Sequence, residues 1–536
     1  MSEPRIQYRK LRAPQQHGSV LIDPSLSASN QLIKENQSLI KQSAELRLFG
    51  QPLSELRASA RQSLLIAAME FTGNYTNCRD GISGDLIFLS GHQPKLFHPG
   101  VWFKNLLLAH LAKKHAATAI NLIIDNDLCG QHSIKVPQGS IDSPIVSSIA
   151  YDCDGDNLPL EEVMISDQQL FESFGQRVAK VCIAQAENTV RHFWNLVTKS
   201  NSKNIGLKFA QARHQIEQEH GIDNLELPMS TVCSSREFLR FCGHLLNNAE
   251  RLQATYNTSL SEYRRIHKIR SHSHPVPTLE RQGDAIEIPL WIWSDLSLSR
   301  KRLFCLRVGD QTELRDELGK TYATVNLTGC DDIAIDQLEA LNKSGIKIRP
   351  RALTTTMYCR LVLSDLFVHG IGGAKYDQLT DHITRDFFNC TLPKFQIGTA
   401  TVKLFANQIS NPANELESIE KDLRDLEFSP DKFARKAVKN KHHHSSELES
   451  LIVQKLEHVR NNVAPQDRAA WHETLQNIHM QLRSLLEKDE EALVSSRQTV
   501  QNRLKVFELL DSREYPLILF NVKTLLELLE SAMKTS

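Results

Sequence analysis

The chain has 536 residues, of which 41 % are apolar, 24 % are charged and 7 % are aromatic. Such a chain can bury a large core, which excludes global disorder, and its length predicts about three domains. Lysine plus arginine and aspartate plus glutamate each number 63, so the basic excess of a typical nucleic-acid-binding protein is absent.

The cysteines and the apolar segments indicate in which cellular compartment the protein is expected. The ten cysteines lie far apart without a Cys-x-x-Cys pair, which argues against a disulfide framework and a zinc ribbon. The N-terminus is polar, and the most apolar helix, over residues 101–112, is too short to span a bilayer. We therefore expect a cytoplasmic protein that binds neither membranes nor nucleic acid.

Composition and periodicity divide the sequence into four parts. They are an N-terminal extended and helical segment (1–84), an α/β core (85–410) with a helical insertion (about 165–275), a coiled coil (411–512) and a C-terminal return segment (513–536). In the first part, residues 31–72 place leucine and isoleucine at helical spacing, with a break at residues 50–52.

Two short apolar segments with a helix between them begin the core. Residues 85–90 and 119–124 have the length of buried strands, and residues 101–115 form the helix. Strands joined in this way pair in parallel through a right-handed crossover. Because ligands bind beyond the carboxyl ends of such strands, the polar clusters at residues 91–94 and 125–127 are candidate site segments.

The rest of the core mixes both kinds of structure. Residues 286–293 and 302–308 are predicted as strands, and residues 354–368 as a helix. The glycines of residues 370–373 follow that helix and suit backbone with positive φ.

The coiled-coil prediction rests on leucine and isoleucine at successive spacings of 3, 4 and 3 residues over 416–426 and again over 475–485. A polar stretch at residues 439–446 interrupts this seam. We expect two long helices in an antiparallel hairpin.

Two polar clusters carry the strongest chemical hypotheses. The backbone amides of residues 91–94 can hold a phosphate or a carboxylate, with His92 or Lys95 adding positive charge; a tight turn is the alternative interpretation. Asp125 and Asp127 can hold a metal, orient an amine or act as a base. For these two residues the alternative is a solvated turn.

The segment 370–376 is a third candidate. Its glycines allow a ligand to approach the backbone, and Lys375 and Tyr376 can donate hydrogen bonds; a helix C-cap explains at least one glycine without function. The histidine-rich loops at residues 271–274 and 442–444 lack companion ligands at metal-site spacing, so we expect no metal there.

Several of these segments, in this order, resemble the BshC family, the cysteine-adding enzymes of bacillithiol biosynthesis. The resemblance covers roughly residues 85–520. The matching segments are residues 90–94 with Lys104, 125–127, 287–291, 348–350, 370–376, 392–393 and 513–515.

The resemblance implies a Rossmann-like core similar to nucleotidyltransferases, a helical connecting part and an antiparallel coiled coil. It also implies an ATP- or ADP-binding ligase that joins cysteine to the amino group of glucosaminyl-malate. The chain departs from the family pattern at Gly373 (glutamate in the family), at Leu128 and Cys129 (His-Asp), and at Lys394 (arginine). A changed substrate is therefore expected.

The resulting hypothesis assigns catalytic roles to Asp125, Asp127 and His92. The substrate-binding residues are Gly91, Gln93, Pro94, Lys104, Arg349, Gly370, Gly372, Gly373, Lys375 and Tyr376. Arg349 would pair with a substrate carboxylate through its fork. Two alternatives stay open: a degenerate ligase fold whose coiled coil recruits a partner or forms a homodimer, and a different nucleotide-dependent transferase.

Overall fold

The computed structural model describes residues 11–77, 84–184, 186–328, 331–440, 442–461 and 464–535. The protein is a mixed α/β protein that divides into two compact units. The larger unit comprises Met1–Val136, Ser147–Lys403 and Arg513–Ser536, and the smaller one comprises Pro137–Val146 and Leu404–Ser512.

The strands are listed here in chain order. They are β1 (Ser19–Asp23), β2 (Arg47–Leu48), β3 (Gln51–Pro52), β4 (Ile87–His92), β5 (Thr118–Ile123), β6 (Ser133–Gly139), β7 (Pro144–Ala150), β8 (Leu225–Pro228), β9 (Arg281–Gln282), β10 (Ala285–Ser294), β11 (Ser297–Val308), β12 (Gln311–Arg315), β13 (Thr321–Asn326), β14 (Ile346–Pro350), β15 (Leu366–His369) and β16 (Phe395–Thr401).

The helices follow the same order. They are α1 (Ser29–Gln42), α2 (Leu53–Gly73), α3 (Pro99–His115), α4 (Gln168–Val181), α5 (Glu187–Lys199), α6 (Ile205–Glu219), α7 (Met229–Val232), α8 (Arg236–Asn247), α9 (Ala249–Ile266), α10 (Asp331–Lys343), α11 (Ala352–Tyr358), α12 (Ile371–Ala374), α13 (Asp377–Phe388), α14 (Ala413–Phe428), α15 (Pro430–Lys439), α16 (Ser445–Arg460), α17 (Arg468–Leu485), α18 (Glu487–Leu510) and α19 (Val522–Lys534).

A six-stranded sheet in the order β1-β16-β15-β4-β5-β8 organises the larger unit. Its strands are parallel except β1, which lies antiparallel to β16 at the edge. The parallel pairing of β4 and β5, predicted from the sequence, is confirmed. The chain runs from β4 to β5 and β8 on one side, whereas β15 and β16 lie on the other side of β4. In open α/β sheets, the ligand-binding crevice lies at such a change of direction, beyond the carboxyl ends of the strands.

Helix α3 has clear local causes. The ring of His98 caps the helix by accepting a hydrogen bond from the Gly100 amide, and Pro99 occupies the first helical position. The helix ends at Ala116, which has left-handed φ of 48°. Its second turn places Lys104 near the carboxyl ends of β4 and β15.

The two predicted strands at 286–293 and 302–308 are confirmed as parts of β10 and β11. They belong to a second, antiparallel sheet in the order β13-β12-β11-β10-β14, with β9 beside β10. Arg349 lies on β14, at the edge of this second sheet.

The prediction of one helix over residues 354–368 is wrong. Helix α11 ends at Tyr358, a π-helical turn covers Cys359–Leu363, and residues 366–369 form β15. This apolar run is too short for periodicity to separate a strand from a buried helix. The expectation of positive φ at residues 370–373 is also wrong, because Gly370 has φ of −77° and the next residues form α12.

The smaller unit contains α14 to α18 around buried leucines such as Leu426, Leu448 and Leu482. Over its described residues, this part of the chain forms the five helices α14 to α18 and not the two long ones predicted. Pro430 starts α15, so it separates α14 from α15. Among the described residues, the helices lack the length or the apolar content that a membrane crossing requires.

Candidate functional site

The candidate site lies at the carboxyl ends of β15, β4 and β5. Gly91 and His92 end β4 and residues 93–94 follow it, the acidic residues follow β5, and Gly370 follows β15. Gln93 donates a hydrogen bond to the Asp127 carboxylate, so the two polar clusters predicted from the sequence do meet.

Lys104 is a buried lysine for which the described residues provide no carboxylate partner. The residue is 6 % exposed, and its Nζ donates to the Gly91 carbonyl at 2.6 Å. Among the described residues, no carboxylate oxygen lies within 4.0 Å of Nζ. A Cβ on Gly370 would lie 3.4 Å from Lys104 Cδ, so this side chain fills the gap between β4 and β15. Burial, with repulsion from Arg213, lowers the pKa of Lys104 to about 7.

His92 is neutral in this environment. Burial lowers its pKa well below the ordinary value, and the positive charges of Lys104 and Arg213 add to the effect. The expectation that His92 supplies positive charge is therefore wrong. Its ring meets Phe97 edge-on at 4.5 Å, and its Nδ1 is buried without a hydrogen-bond partner. Lys95 is engaged by the Leu128 carbonyl at 2.9 Å.

Asp125 is the most perturbed carboxyl group of the site. It is 2 % exposed and accepts hydrogen bonds from the Ser230 amide at 2.9 Å and from the Ser230 hydroxyl at 2.5 Å. Burial, together with repulsion from Glu161, raises its pKa to about 7. A carboxyl group in this range can exchange a proton near neutral pH.

Asp127 is paired within the chain. Arg300 donates to its Oδ1 at 3.0 Å, in addition to the bond from Gln93. The guanidinium of Arg300 also stacks over Trp291, with 4.3 Å to the ring centroid. Asp127 is thus an anchor for Arg300, and nothing in these contacts marks it as a base.

Arg349 does not present a free fork. Its Nε and Nη2 donate to the two carboxylate oxygens of Glu161 at 3.0 and 2.9 Å, and both side chains are buried. The expectation that Arg349 pairs with a substrate carboxylate is therefore wrong, because Glu161 already occupies its guanidinium. The Glu161 amide donates to the Asp125 carbonyl at 2.7 Å, which ties this pair to the end of β5.

The remaining predicted residues lie apart from this cluster. The Lys375 carbonyl accepts a bond from the Tyr263 hydroxyl at 2.7 Å, and the Tyr376 hydroxyl lies 3.3 Å from His274 Nε2. Gly372 has open space where a Cβ would stand. No contact in the described part of the chain joins these residues to Lys104 or Asp125. The expectation that Tyr376 converges on the same cleft is not met.

Two other predicted residues have structural surroundings. Pro94 packs against Gly206, where a Cβ would meet the proline ring at 2.9 Å. Gly373 packs against His369, whose Nδ1 a Cβ at position 373 would meet at 2.6 Å. Within the described ranges, no three His, Cys, Asp or Glu side chains are arranged to hold a metal ion.

Sequence reasoning missed Glu161, Ser230 and Arg300. Each is distant in sequence from the residue it binds, and none stands in a motif. Only the fold brings them to the end of β5. No known protein-family model matches the chain, and no curated protein is significantly similar to it.

The arrangement combines two groups of opposite chemistry. Lys104 Nζ binds the Gly91 carbonyl of β4, and Asp125 follows β5, the strand that pairs with β4. Among the described residues, Lys104 has no carboxylate partner. Asp125 accepts its hydrogen bonds from Ser230 and has no basic side chain among these hydrogen-bond partners. A ligand that carries both an anionic group and an amine satisfies both.

Proposed function

We propose that the chain is a cytoplasmic ligase of the BshC type. It would form an amide bond between an amino acid, such as cysteine, and the amino group of an amino-sugar conjugate that carries carboxylates. The observation that carries this proposal is Lys104, a buried lysine whose Nζ binds only the Gly91 carbonyl among the described residues and whose pKa burial lowers to about 7. A buried charge without a counter-ion is costly, and an anionic ligand supplies the missing partner.

Lys104 would bind the anionic group. A phosphate or a carboxylate that reaches Nζ of Lys104 gains a charge-assisted hydrogen bond from it. The Lys104 ammonium can also bind a phosphate of ATP or ADP. Lys104 is therefore the residue that would hold a nucleotide phosphate at the carboxyl ends of β4 and β15. ATP would supply the activation that a carboxylate needs before an amine can attack it.

Asp125 would receive the amine. An ammonium group that reaches Asp125 pairs with its carboxylate and, because the pKa of this carboxyl is raised to about 7, can transfer a proton to it. The resulting neutral amine is the form that attacks an activated carboxylate. The bonds from Ser230 fix the carboxyl group while it accepts the proton.

The finer fold assignments are part of the same proposal. Parallel strands with helices and a change of direction between β4 and β15 support a nucleotidyltransferase-like core. For the smaller unit, the ion pair between Glu415 on α14 and Arg503 on α18, 2.9 Å long, supports an antiparallel coiled-coil seam. A homodimer formed through this helical unit is part of the same proposal.

A second candidate function is a non-catalytic binding module. The observation that favours it is the internal pairing of Arg349 with Glu161 and of Asp127 with Arg300. These pairs leave fewer charged groups for catalysis than the sequence predicts. Ligand binding at Lys104 without turnover would then be the retained property.

A thermal-shift and ADP-release experiment tests the proposal. The purified protein would be titrated with ATP, cysteine and glucosaminyl-malate, and ligand at 100 times its Kd adds about 2.7 kcal/mol of stability. Lys104→Met should abolish the shift, whereas Lys375→Met, a change at an exposed lysine outside the cluster, should preserve it.

The outcomes separate the two functions. ADP release that requires both cysteine and glucosaminyl-malate supports the ligase, and Asp125→Asn should then slow it at least 100-fold. Shifts without ADP release support the binding module. Shifts that survive Lys104→Met remove Lys104 from either function.

A further inference from the structure

The end of α9 and the loop after it carry a concentrated positive charge. Residues 263–279 contain three arginines, one lysine and three histidines, and no acidic residue. Arg265, Lys268 and Arg270 are exposed, and Arg265 reaches the carboxylate of Glu262 only at 4.0 Å. A contact of this length between exposed groups contributes little, so the charge remains available to a partner.

Lys375, which follows α12, adds to this charge from another part of the chain. It is exposed, and its carbonyl accepts a hydrogen bond from the Tyr263 hydroxyl at 2.7 Å, so it lies beside the last turn of α9. Among the described residues, no carboxylate oxygen lies within 4.0 Å of Lys268, Arg270 or Lys375. These three residues and Arg265 form the basic surface.

Arg264 holds the loop after α9 against the helix. Its Nη2 donates to the carbonyls of His272 and Val276, and its Nε donates to the His274 carbonyl at 3.1 Å. The backbone of residues 271–276 is thereby fixed to the last turn of α9. The positive charge therefore belongs to a folded part of the protein and not to an extended tail.

Lys268 occupies a backbone position that favours glycine. Its φ is 54°, and the amide of the next residue, Ile269, donates to the Arg264 carbonyl at 2.9 Å, which closes α9 in a Schellman motif. A side chain in this left-handed conformation costs stability that glycine avoids. A lysine at a strained position points to a role for its side chain beyond ending the helix.

We propose that the basic surface binds a short acidic segment, rich in aspartate and glutamate, of a partner protein. Carboxylates that follow one another along an extended peptide can pair with several of these ammonium and guanidinium groups at once. Each exposed pair adds a small favourable energy, and several together give a measurable affinity. The guanidinium groups of Arg265 and Arg270 can each take a carboxylate through two parallel hydrogen bonds.

Two observations favour a peptide over nucleic acid. Outside residues 263–279 the chain has four more acidic than basic residues, so a long polyanion would meet no further basic excess. The tyrosine rings of this region also contact imidazoles. Tyr263 stacks on His267 at 4.2 Å, and Tyr376 meets His274 edge-on at 5.4 Å. These contacts occupy the rings on which single-stranded bases would stack.

Fluorescence anisotropy with labelled ligands tests the proposal at neutral pH and low salt. The probes are a short peptide of alternating aspartate and glutamate, its asparagine and glutamine counterpart, and a single-stranded oligonucleotide of equal charge. We expect the acidic peptide to bind at least about tenfold more tightly than the neutral one, a difference of about 1.4 kcal/mol. Binding should weaken as salt is added, because exposed charges are screened.

Substitutions in the basic surface locate the binding. Arg265→Gln combined with Lys268→Gln and Arg270→Gln removes three charges and should weaken binding of the acidic peptide about tenfold or more. Lys268→Gly alone should weaken it by about threefold. Its melting temperature should not fall, because glycine relieves the left-handed strain.

A second set of substitutions is the matched control. Lys41, Lys180 and Lys199 are exposed lysines in the last turns of α1, α4 and α5. Their combined replacement by glutamine removes the same charge from comparable helix ends. Binding of the acidic peptide should stay nearly unchanged.

The outcomes decide the proposal without reference to ligase activity. Weakened binding in the first set and unchanged binding in the control set support it. Equal weakening in both sets shows attraction by charge anywhere on the protein and overturns it. Tighter binding of the oligonucleotide assigns the basic surface to nucleic acid, and binding of none of the probes makes it a solvated surface; both results overturn the proposal. A lower melting temperature of Lys268→Gly with unchanged affinity overturns the role of Lys268.

Discussion

Two buried basic side chains, Lys104 on helix α3 and Arg213 beside it, have different surroundings. Arg213 on α6 is bonded through both terminal nitrogens to Glu217 and Glu226, with four distances between 2.7 and 2.9 Å. Lys104 has one carbonyl partner. Arg213 therefore stabilises the fold through partners within the chain, whereas a charged partner for Lys104 would have to come from a ligand.

The surroundings of Arg213 complete the contrast. Glu217 also accepts hydrogen bonds from the Trp102 indole and the Asn105 amide, and Asn121 donates to Glu226. Four elements, α3, α6, β5 and β8, are thereby fixed to one another. A buried basic group without a charged partner destabilises the fold. Such a group is retained at a position where a ligand can supply the missing partner.

Arg213→Met should have the largest effect on stability. Removing the guanidinium leaves two buried carboxylates without their cation, and we expect a loss of about 3–5 kcal/mol in the free energy of unfolding. Denaturant unfolding measures it. Arg191→Met, which breaks an exposed pair with Glu187, should change stability by less than about 1 kcal/mol. Similar losses in the two variants would contradict the structural role of Arg213.

Lys104→Met should change the free energy of unfolding in the opposite direction. Replacing a buried, unpaired ammonium by an apolar side chain of similar length should stabilise the ligand-free protein by about 1–3 kcal/mol. The same denaturant experiment gives this value, and ligand-induced stabilisation should disappear. A destabilised variant would mean that Lys104 has an unrecognised structural partner.

Asp125→Asn should change how stability depends on pH. The folded-state pKa is raised to about 7, above the ordinary value of about 3.9, so the folded protein binds more protons between these values. Stability from this group therefore falls as the pH rises from about 4 to 7. The variant lacks this fall, so its stability relative to that of the unmutated protein should be greater at pH 7.5 than at pH 4. Parallel curves from pH 4 to 8 would show that Asp125 titrates normally.

Tyr376→Phe should have the smallest effect. Its hydroxyl bond to His274 is long and exposed, and the residue lies outside the cluster around Lys104. We expect stability within about 0.5 kcal/mol and unchanged ligand affinity. Loss of affinity would return Tyr376 to the site and widen the region that the comparison assigns to ligand binding.

The local part of the fold was predictable. The succession β4, α3 and β5 follows from two apolar runs and a capped helix that starts with proline, all within about 40 residues. Strand β8 was missed because Glu226 lies in its middle, and only its pairing with Arg213 explains a charged residue there. Propensity and periodicity carry no information about such a distant partner.

The position of the candidate site could be predicted from the sequence, whereas the roles of several of its residues could not. The rule that ligands bind at the carboxyl ends of parallel strands correctly brings residues 91–94 and 125–127 together. The role of Arg349 could not be predicted, because Glu161 lies 188 positions earlier in the chain.

The edge strand β1 has a consequence for biosynthesis. Leu21 faces Thr399 in the register of β1 with β16. A ribosome needs on the order of tens of seconds to synthesise the intervening chain. During that time the nascent β1 lacks its partner, so a chaperone that shields extended segments would have its main opportunity there. Contacts of such long range also slow folding. Released chains that stop before β16 should therefore aggregate more readily than the full chain.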